Sequence, residues 1–187
     1  MEVKVLQPQL HVLHTDELSL GILRPILEQL PQPPKQARIA IKPNLVVPKP
    51  STSGATTDPA LVACIIEYLR EKGHTDIRIL ESSGVGNSTQ HAFRSCGYEK
   101  ISKAFNVPLV DLKGDQATKL STHGLDLEIC QEVLESDFLI NVPVLKAHCQ
   151  TRLTCALKNL KGCIPDREKR RFHTLGLHRP IAALNTI

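Results

Sequence analysis

Between Ile140 and Gly162 the chain reads INVPVLKAHCQTRLTCALKNLKG, opening as a buried strand and closing as a helix end. Four side chains in this stretch carry chemistry that packing alone does not ask for: Asn141, Lys146, His148 and Lys158. An imidazole titrates near neutrality unaided, so His148 is a candidate general acid or base, or a metal ligand. The lysine ammoniums suit a carboxylate or a phosphate, with Lys158 as electrophile or cofactor anchor. Asn141 stands inside the strand, where a buried amide left unbonded costs about 1–3 kcal/mol. Pro143 removes a backbone donor and ends the ladder, so Lys146 and His148 are expected to project from the loop beyond. A helix regular from Thr151 would carry Lys158 about 10 Å along its axis and away from that loop. A start nearer Ala156 would bring it to His148.

Two other segments place similar chemistry after a strand. In IAIKPNLV, Lys42 and Asn44 follow buried β-branched residues, and Pro43 holds Lys42 out of helical geometry. This stiff loop would hold a carboxylate or phosphate; alternatively Lys42 snorkels at the sheet edge while Asn44 bonds its own turn. In ESSGVGNS, the turn residues Ser83, Gly84 and Gly86 offer backbone amides to a cofactor's anionic group at a helix start. The dinucleotide fingerprint GxGxxG is not met, because Thr89 stands three residues beyond Gly86. The same glycines equally fit a turn that needs positive φ. Glu81 closes an otherwise apolar strand and is either an acid–base group or a solvated strand end. Further on, DREKRRFHTLGLHR reads as a basic loop whose Arg170, Arg171, His173 and Arg179 would cover an anion or simply be solvated.

These segments fall at corresponding points of a repeating pattern. Strand-like runs at VKVLQ, ARIAI, DIRILE, VPLVDL and DFLINVP alternate with helical ones at DELSLGILRPILEQL, ALVACIIEYLREKG, TQHAFRSCG and EKISKAFN. In the first helix Asp16 is the expected cap, and Leu18, Ile22, Ile26, Leu27 and Leu30 the expected buried stripe. In the second, Asp58-Pro59 caps the start, Leu61, Val62, Ile65, Ile66 and Leu69 form the stripe, and Gly73 ends it. KGDQATKLSTHGLDLEIC is less regular and suggests an antiparallel excursion. The pattern predicts an α/β domain with an open, mainly parallel, Rossmann-like sheet. In such a sheet the loops after parallel strands share one edge, which is where ligands bind. The final HRPIAALNTI reads as the opening of a helix, which leads us to expect one domain over 1–187, incomplete at its C-terminus.

Composition narrows the partners. The 187 residues are 41% hydrophobic and 22% charged, within the globular range. No apolar run approaches the roughly 20 residues that span a bilayer. Aromatic residues make up 3% with no Trp, too few for stacking on bases. We therefore expect a cytoplasmic protein with neither membrane nor nucleic acid as partner. The net charge of +4 is compatible with a small anionic metabolite. The six cysteines contain no CxxC pair and no iron–sulfur run, so reduced thiols are expected. Cys149, Cys155 and Cys163 do gather around His148, which raises a zinc site as an alternative.

The motifs IKPNLV, DPALVACIIEYLRE, SDFLINVPVLKAH and ALKNLKGCIP resemble those of DUF362, a prokaryotic domain-of-unknown-function family, from about Ile41 onward. The resemblance implies a domain that often adjoins a ferredoxin-type iron–sulfur module and usually continues beyond the length seen here. More distantly, the chain is similar to the N-terminal domain of nickel-dependent lactate racemase. That family has a loop histidine and, ten residues later, a lysine carrying a nickel-pincer nucleotide; His148 and Lys158 keep this spacing, and His173 falls near a further ligand position. Ser82-Ser83-Gly84-Val85 replaces that family's Gly-Thr-His-Arg motif, and Leu153-Thr154-Cys155-Ala156 its glycine-rich lead. The expectations are thus an enzyme acting on a carboxylated or phosphorylated metabolite, racemase-like or redox-associated, or else a non-catalytic module that binds a cofactor or docks a redox partner.

Overall fold

The computed structural model describes residues 10–187, so the expected strand at VKVLQ lies outside the described residues. The first helix, α1, spans Leu20–Leu27, with Ser19 rather than Asp16 at its N-cap. Its buried face is set by Leu20 and Leu23, with Leu27 packed against the core. Ile22 and Leu30, expected inside, are exposed because the short helix adopts the Leu20–Leu23–Leu27 phase instead. Gly21 lies in this helix with nothing within 4 Å of an added Cβ. Gly21→Ala is therefore expected to raise the unfolding free energy by about 0.5–1 kcal/mol in urea denaturation.

The sheet comprises β1 (Ile39–Pro43), β2 (Ile77–Glu81), β3 (Leu109–Asp111) and, after a separate hairpin of β4 (Ala117–Thr122) and β5 (Leu125–Cys130), β6 (Phe138–Val142). It has the order β3-β2-β1-β6 and is parallel throughout. The expected Rossmann-like α/β architecture is what the chain adopts. The order runs from β1 to β3 in one direction and then jumps back across β1 to β6, so β1 and β6 flank the switch point. Their register sets Lys42 directly beside Asn141.

The helices form where sequence signals agree. α2 (Pro59–Glu71) starts at Asp58, whose carboxylate accepts from the Ala60 amide, and buries Val62, Ile65, Ile66 and Leu69. α3 (Thr89–Ser95) and α4 (Tyr98–Phe105) follow β2, and α2 and α4 pack on Ile39, Ile41, Ile77 and Ile79. The irregular stretch is indeed antiparallel, as β4 and β5 pair along their full lengths. A short α5 (Gln131–Leu134) leads into β6.

Beyond β6 the structure departs from expectation. Lys146 and His148 lie not on an open loop but on a small strand, β7 (Lys146–His148), which pairs antiparallel with β8 (Arg152–Thr154). The helix expected from Thr151 is replaced by this hairpin, and α6 begins only at Ala156 (Ala156–Asn159) before a tight turn at Leu160–Cys163. The expected basic loop is instead α7 (Asp166–Thr174), with Asp166 and Glu168 in its first turn and Arg171 in its last, matching the helix dipole. Phe172 anchors it: together with Leu177 and Ile181 of the following turn and α8 (His178–Leu184), it packs on Leu127 and Ile129 of the hairpin. This satellite core holds α7 over the carboxyl end of the sheet. No helix among the described residues is long and apolar enough to cross a membrane.

Candidate functional site

At the carboxyl ends of β1 and β2, a cavity of about 340 Å³ is closed by β7, β8, α6 and α7. Lys42, Asn44, Glu81, Gly84, Lys146, His148 and Lys158 all line it, as do Thr154, Asn159, Lys161, Lys169 and His173. The loops after β1, β2 and β6 thus open onto one hollow, and the late start of α6 brings Lys158 to it.

The floor is a sealed ion pair. Lys42 Nζ sits 2.8 Å from Glu81 Oε2, with the two side chains 0% and 2% exposed. The ammonium also donates to the Pro43 carbonyl at 2.6 Å and reaches Asn159 Oδ1 at 3.4 Å. Glu81 accepts the Leu45 amide on Oε2 and the Ser82 amide on Oε1, each at 2.8 Å. Neither group is the snorkelling lysine or solvated strand end considered from sequence. Lys42 and Glu81 satisfy each other and fix where the β1 and β2 loops begin.

Asn159, which sequence reasoning passed over, joins the strands. It is buried; its Nδ2 donates to Asn141 Oδ1 at 2.8 Å and to the Lys42 and Pro43 carbonyls, while its Oδ1 accepts from Asn44 Nδ2 at 2.8 Å. Asn141 Nδ2 in turn donates to the Ala156 carbonyl at 2.9 Å. The amide suspected of being orphaned is therefore bonded at both ends, and Asn141 ties β6 to α6 instead of lining the cavity. The available sequence signal was an amide between the leucines of ALKNL, where a packing stripe has no use for one.

The glycine turn is a wall. The Gly84 amide donates to the Val46 carbonyl at 3.0 Å and the Ser83 amide to Thr89 Oγ1 at 3.2 Å, so neither is free for a phosphate. Ser83 Oγ donates to the Leu45 carbonyl, and Gly86 lies outside the cavity with φ of 86°, the turn reading of that glycine. Lys169, also unremarked in the sequence, is buried and donates to the Ser82 and Ser83 carbonyls and to Ser82 Oγ, with Asp166 Oδ1 at 3.0 Å. It clamps α7 to the loop after β2.

The remaining cations face the hollow. Lys146 donates to Asn44 Oδ1 at 2.6 Å and to the Ala55 carbonyl. Lys158 and Lys161 have no carboxylate partner among the described residues. Burial, and then the charge of Lys158, lowers the pKa of Lys146; burial lowers that of Lys158. Lys161 falls to about 8, through burial first and then the neighbouring Lys158 and Lys169. Burial and the surrounding lysines likewise depress His148 and His173. His148 Nδ1 accepts the Gln150 and Thr151 amides, both at 3.2 Å, across the β7–β8 turn. With Nδ1 committed as an acceptor, this geometry assigns the proton to Nε2, so neutral His148 is a hydrogen-bond donor. One further group stands out: Thr154 Oγ1 is buried on the cavity wall with no hydrogen-bond partner among the described residues.

The zinc alternative does not gather its ligands. Among the described residues no three His, Cys, Asp or Glu side chains come together as a metal site. Cys163 packs with Ala40, Leu80 and Cys130 on the sheet, and burial holds its thiol up at about 12, whereas Cys149 is exposed. Of the positions that the racemase resemblance singles out, Lys158, His148 and His173 all line the cavity.

The model of the family described as Domain of unknown function (DUF362) matches residues 39–187. The chain belongs to this family. The matched span starts at Ile39, the first residue of β1, so this DUF362 domain contains the whole cavity. A protein of Synechocystis sp. named as thylakoid-associated is 29% identical over 136 residues, covering 73% of this chain. The aligned part is 42% of that relative's length, so the chain spans less than half of the relative it matches.

Proposed function

We propose that this DUF362 domain binds a small carboxylated or phosphorylated metabolite in the cavity and acts on it as an enzyme. Lys146 and Lys158 meet the negative charge, Lys161 adds to their field while it is protonated, and His148 Nε2 donates to an oxygen on which charge develops during the reaction. One observation carries the reading. Five lysines and two histidines line the cavity against a single carboxylate, Glu81, which Lys42 already takes. Holding unpaired ammoniums together in a half-buried space costs free energy, as their lowered pKa values record. A bound anion offsets that cost. The unpartnered Thr154 hydroxyl supplies a neutral donor at the same wall.

Thr154 makes the test selective. Its hydroxyl has no hydrogen-bond partner among the described residues, so Thr154→Val is expected to leave stability unchanged or slightly raised in urea denaturation. The same substitution should weaken inorganic phosphate or a small dicarboxylate roughly 3- to 10-fold in titration calorimetry, one lost hydrogen bond. Lys158→Met removes a charged donor and should weaken it about 10- to 100-fold. Affinity is expected to fall as pH rises past about 8, where Lys161 loses its proton. Absence of anion binding by the wild type, or binding indifferent to Lys158→Met, would overturn the reading.

A further inference from the structure

We propose that Lys161 is a nucleophilic amine that forms an imine with a carbonyl group of the bound metabolite, with His173 moving the proton. This inference rests on the anion-binding reading for what brings the metabolite in, but its geometry is separate. Lys161 stands at the tight turn after α6, one turn beyond Lys158, and lines the cavity. Its Nζ faces three things: the Phe172 ring at 5.8 Å, the His173 Nε2 atom at 3.4 Å, and the neighbouring cations Lys158 and Lys169. None of these is a carboxylate, and among the described residues no salt bridge holds the amine protonated. Lys146, His148 and the paired Lys42 and Glu81 complete the ionisable lining. A half-buried amine flanked by other cations is one a protein can keep unprotonated at mildly alkaline pH, and an unprotonated amine adds to carbonyls. The lowering of Lys161 to about 8 agrees with this placement.

The step balances without an external oxidant or reductant. The Lys161 nitrogen lone pair forms a bond to the carbonyl carbon as the C=O π pair moves onto oxygen. His173 Nε2 takes a proton from the nitrogen and delivers one to that oxygen, giving a carbinolamine. Loss of water leaves the C=N bond. Lys158 and Lys146 would then hold the carboxylate or phosphate of the same molecule, so the substrate class is an aldehyde or ketone that also carries an anionic group.

Reductive trapping tests this directly. The wild-type chain is treated at pH 8 with pyridoxal 5′-phosphate, a phosphorylated aldehyde, or with uncharged pyridoxal, then with cyanoborohydride, and the modified lysines are located by peptide mass spectrometry. At that pH roughly half of Lys161 is unprotonated, against less than 1% of an ordinary lysine near 10.4. Allowing for its lower intrinsic reactivity, Lys161 is expected to label at least about tenfold faster than exposed lysines such as Lys35 and Lys72. Lys161→Arg, which keeps the charge but cannot form an imine, should abolish the fast labelling while preserving the circular dichroism spectrum. Labelling of Lys161 no faster than surface lysines, or fast labelling that persists in Lys161→Arg, overturns the inference. Because the wild type is compared with its own lysines, a poorly folding variant does not void the result. Equal labelling of Lys161 by both aldehydes would support the reactive amine while removing the anion-binding reading. Phosphate binding without Lys161 labelling would do the reverse.

Discussion

Glu81→Gln is expected to lower the unfolding free energy by about 3–5 kcal/mol, the range for removing one partner of a buried ion pair. Glu81 and Lys42 are all but inaccessible to water, and the pair stands at 2.8 Å. A carboxylate at this position also accepts the Leu45 and Ser82 amides, one on each oxygen. Glutamine has nearly the same shape but only one accepting oxygen. Its NH₂ group must therefore face an amide or the Lys42 ammonium, placing donor against donor in a closed space. The Pro43 carbonyl and Asn159 Oδ1 would remain as the lysine's partners, without a countercharge. Against a typical domain stability of about 5–15 kcal/mol, the loss is large enough to read easily by urea or guanidinium denaturation. The double replacement Lys42→Met with Glu81→Leu removes the buried charge altogether and should recover part of the loss, the remainder being the Leu45 amide left without its acceptor. A single-variant cost below about 1 kcal/mol would contradict the sealed pair.

The same pair shows where sequence reading reaches and where it stops. The βα alternation, the Asp58-Pro59 cap and the apolar runs of β1 and β2 are local signals, and each element formed where those signals lie. That the loops after β1, β2 and β6 share one edge followed from parallel pairing alone. Roles within the edge did not follow, because they depend on which side chain meets which across long separations. Lys42 meets Glu81 and Asn159 rather than solvent, and its sequence neighbourhood looks the same either way. The helix α7 was hidden by composition: its nine residues carry one apolar anchor, Phe172, so no 3.6-residue stripe announces it. Lys169 disappeared with it into what read as a run of surface charge. The β7–β8 hairpin is equally quiet in sequence, since Arg152 turns the chain with φ of 62°, a conformation usually signalled by glycine or asparagine. That turn supplies the amides that fix His148.

Gly162→Ala is expected to cost about 3 kcal/mol, the upper part of the range for overpacking a closed interior, and to abolish measurable phosphate binding in the protein that still folds. A Cβ at Gly162 would overlap the Glu81 carboxylate and the Lys42 side chain, with Lys42 Nζ 2.6 Å away. Neither can yield, because each is held by the other and by backbone groups. The Gly162 carbonyl also accepts the Ser82 amide at 3.1 Å, so the turn cannot tilt without releasing the loop after β2. The turn must then lift off the ion pair, carrying Asn159 away from β1 and β6 and moving Lys158 and Lys161 out of the cavity. Gly114→Ala is the control, since an added Cβ there meets nothing within 4 Å. It should change stability by less than about 0.5 kcal/mol. Lys158→Met separates the two consequences: binding falls and the fold persists. In Gly162→Ala they fall together, because the closeness that seats the turn on the Lys42–Glu81 pair is the same closeness that presents its lysines to a ligand. A Gly162→Ala protein with wild-type stability and undiminished phosphate affinity would mean that the turn is not seated there.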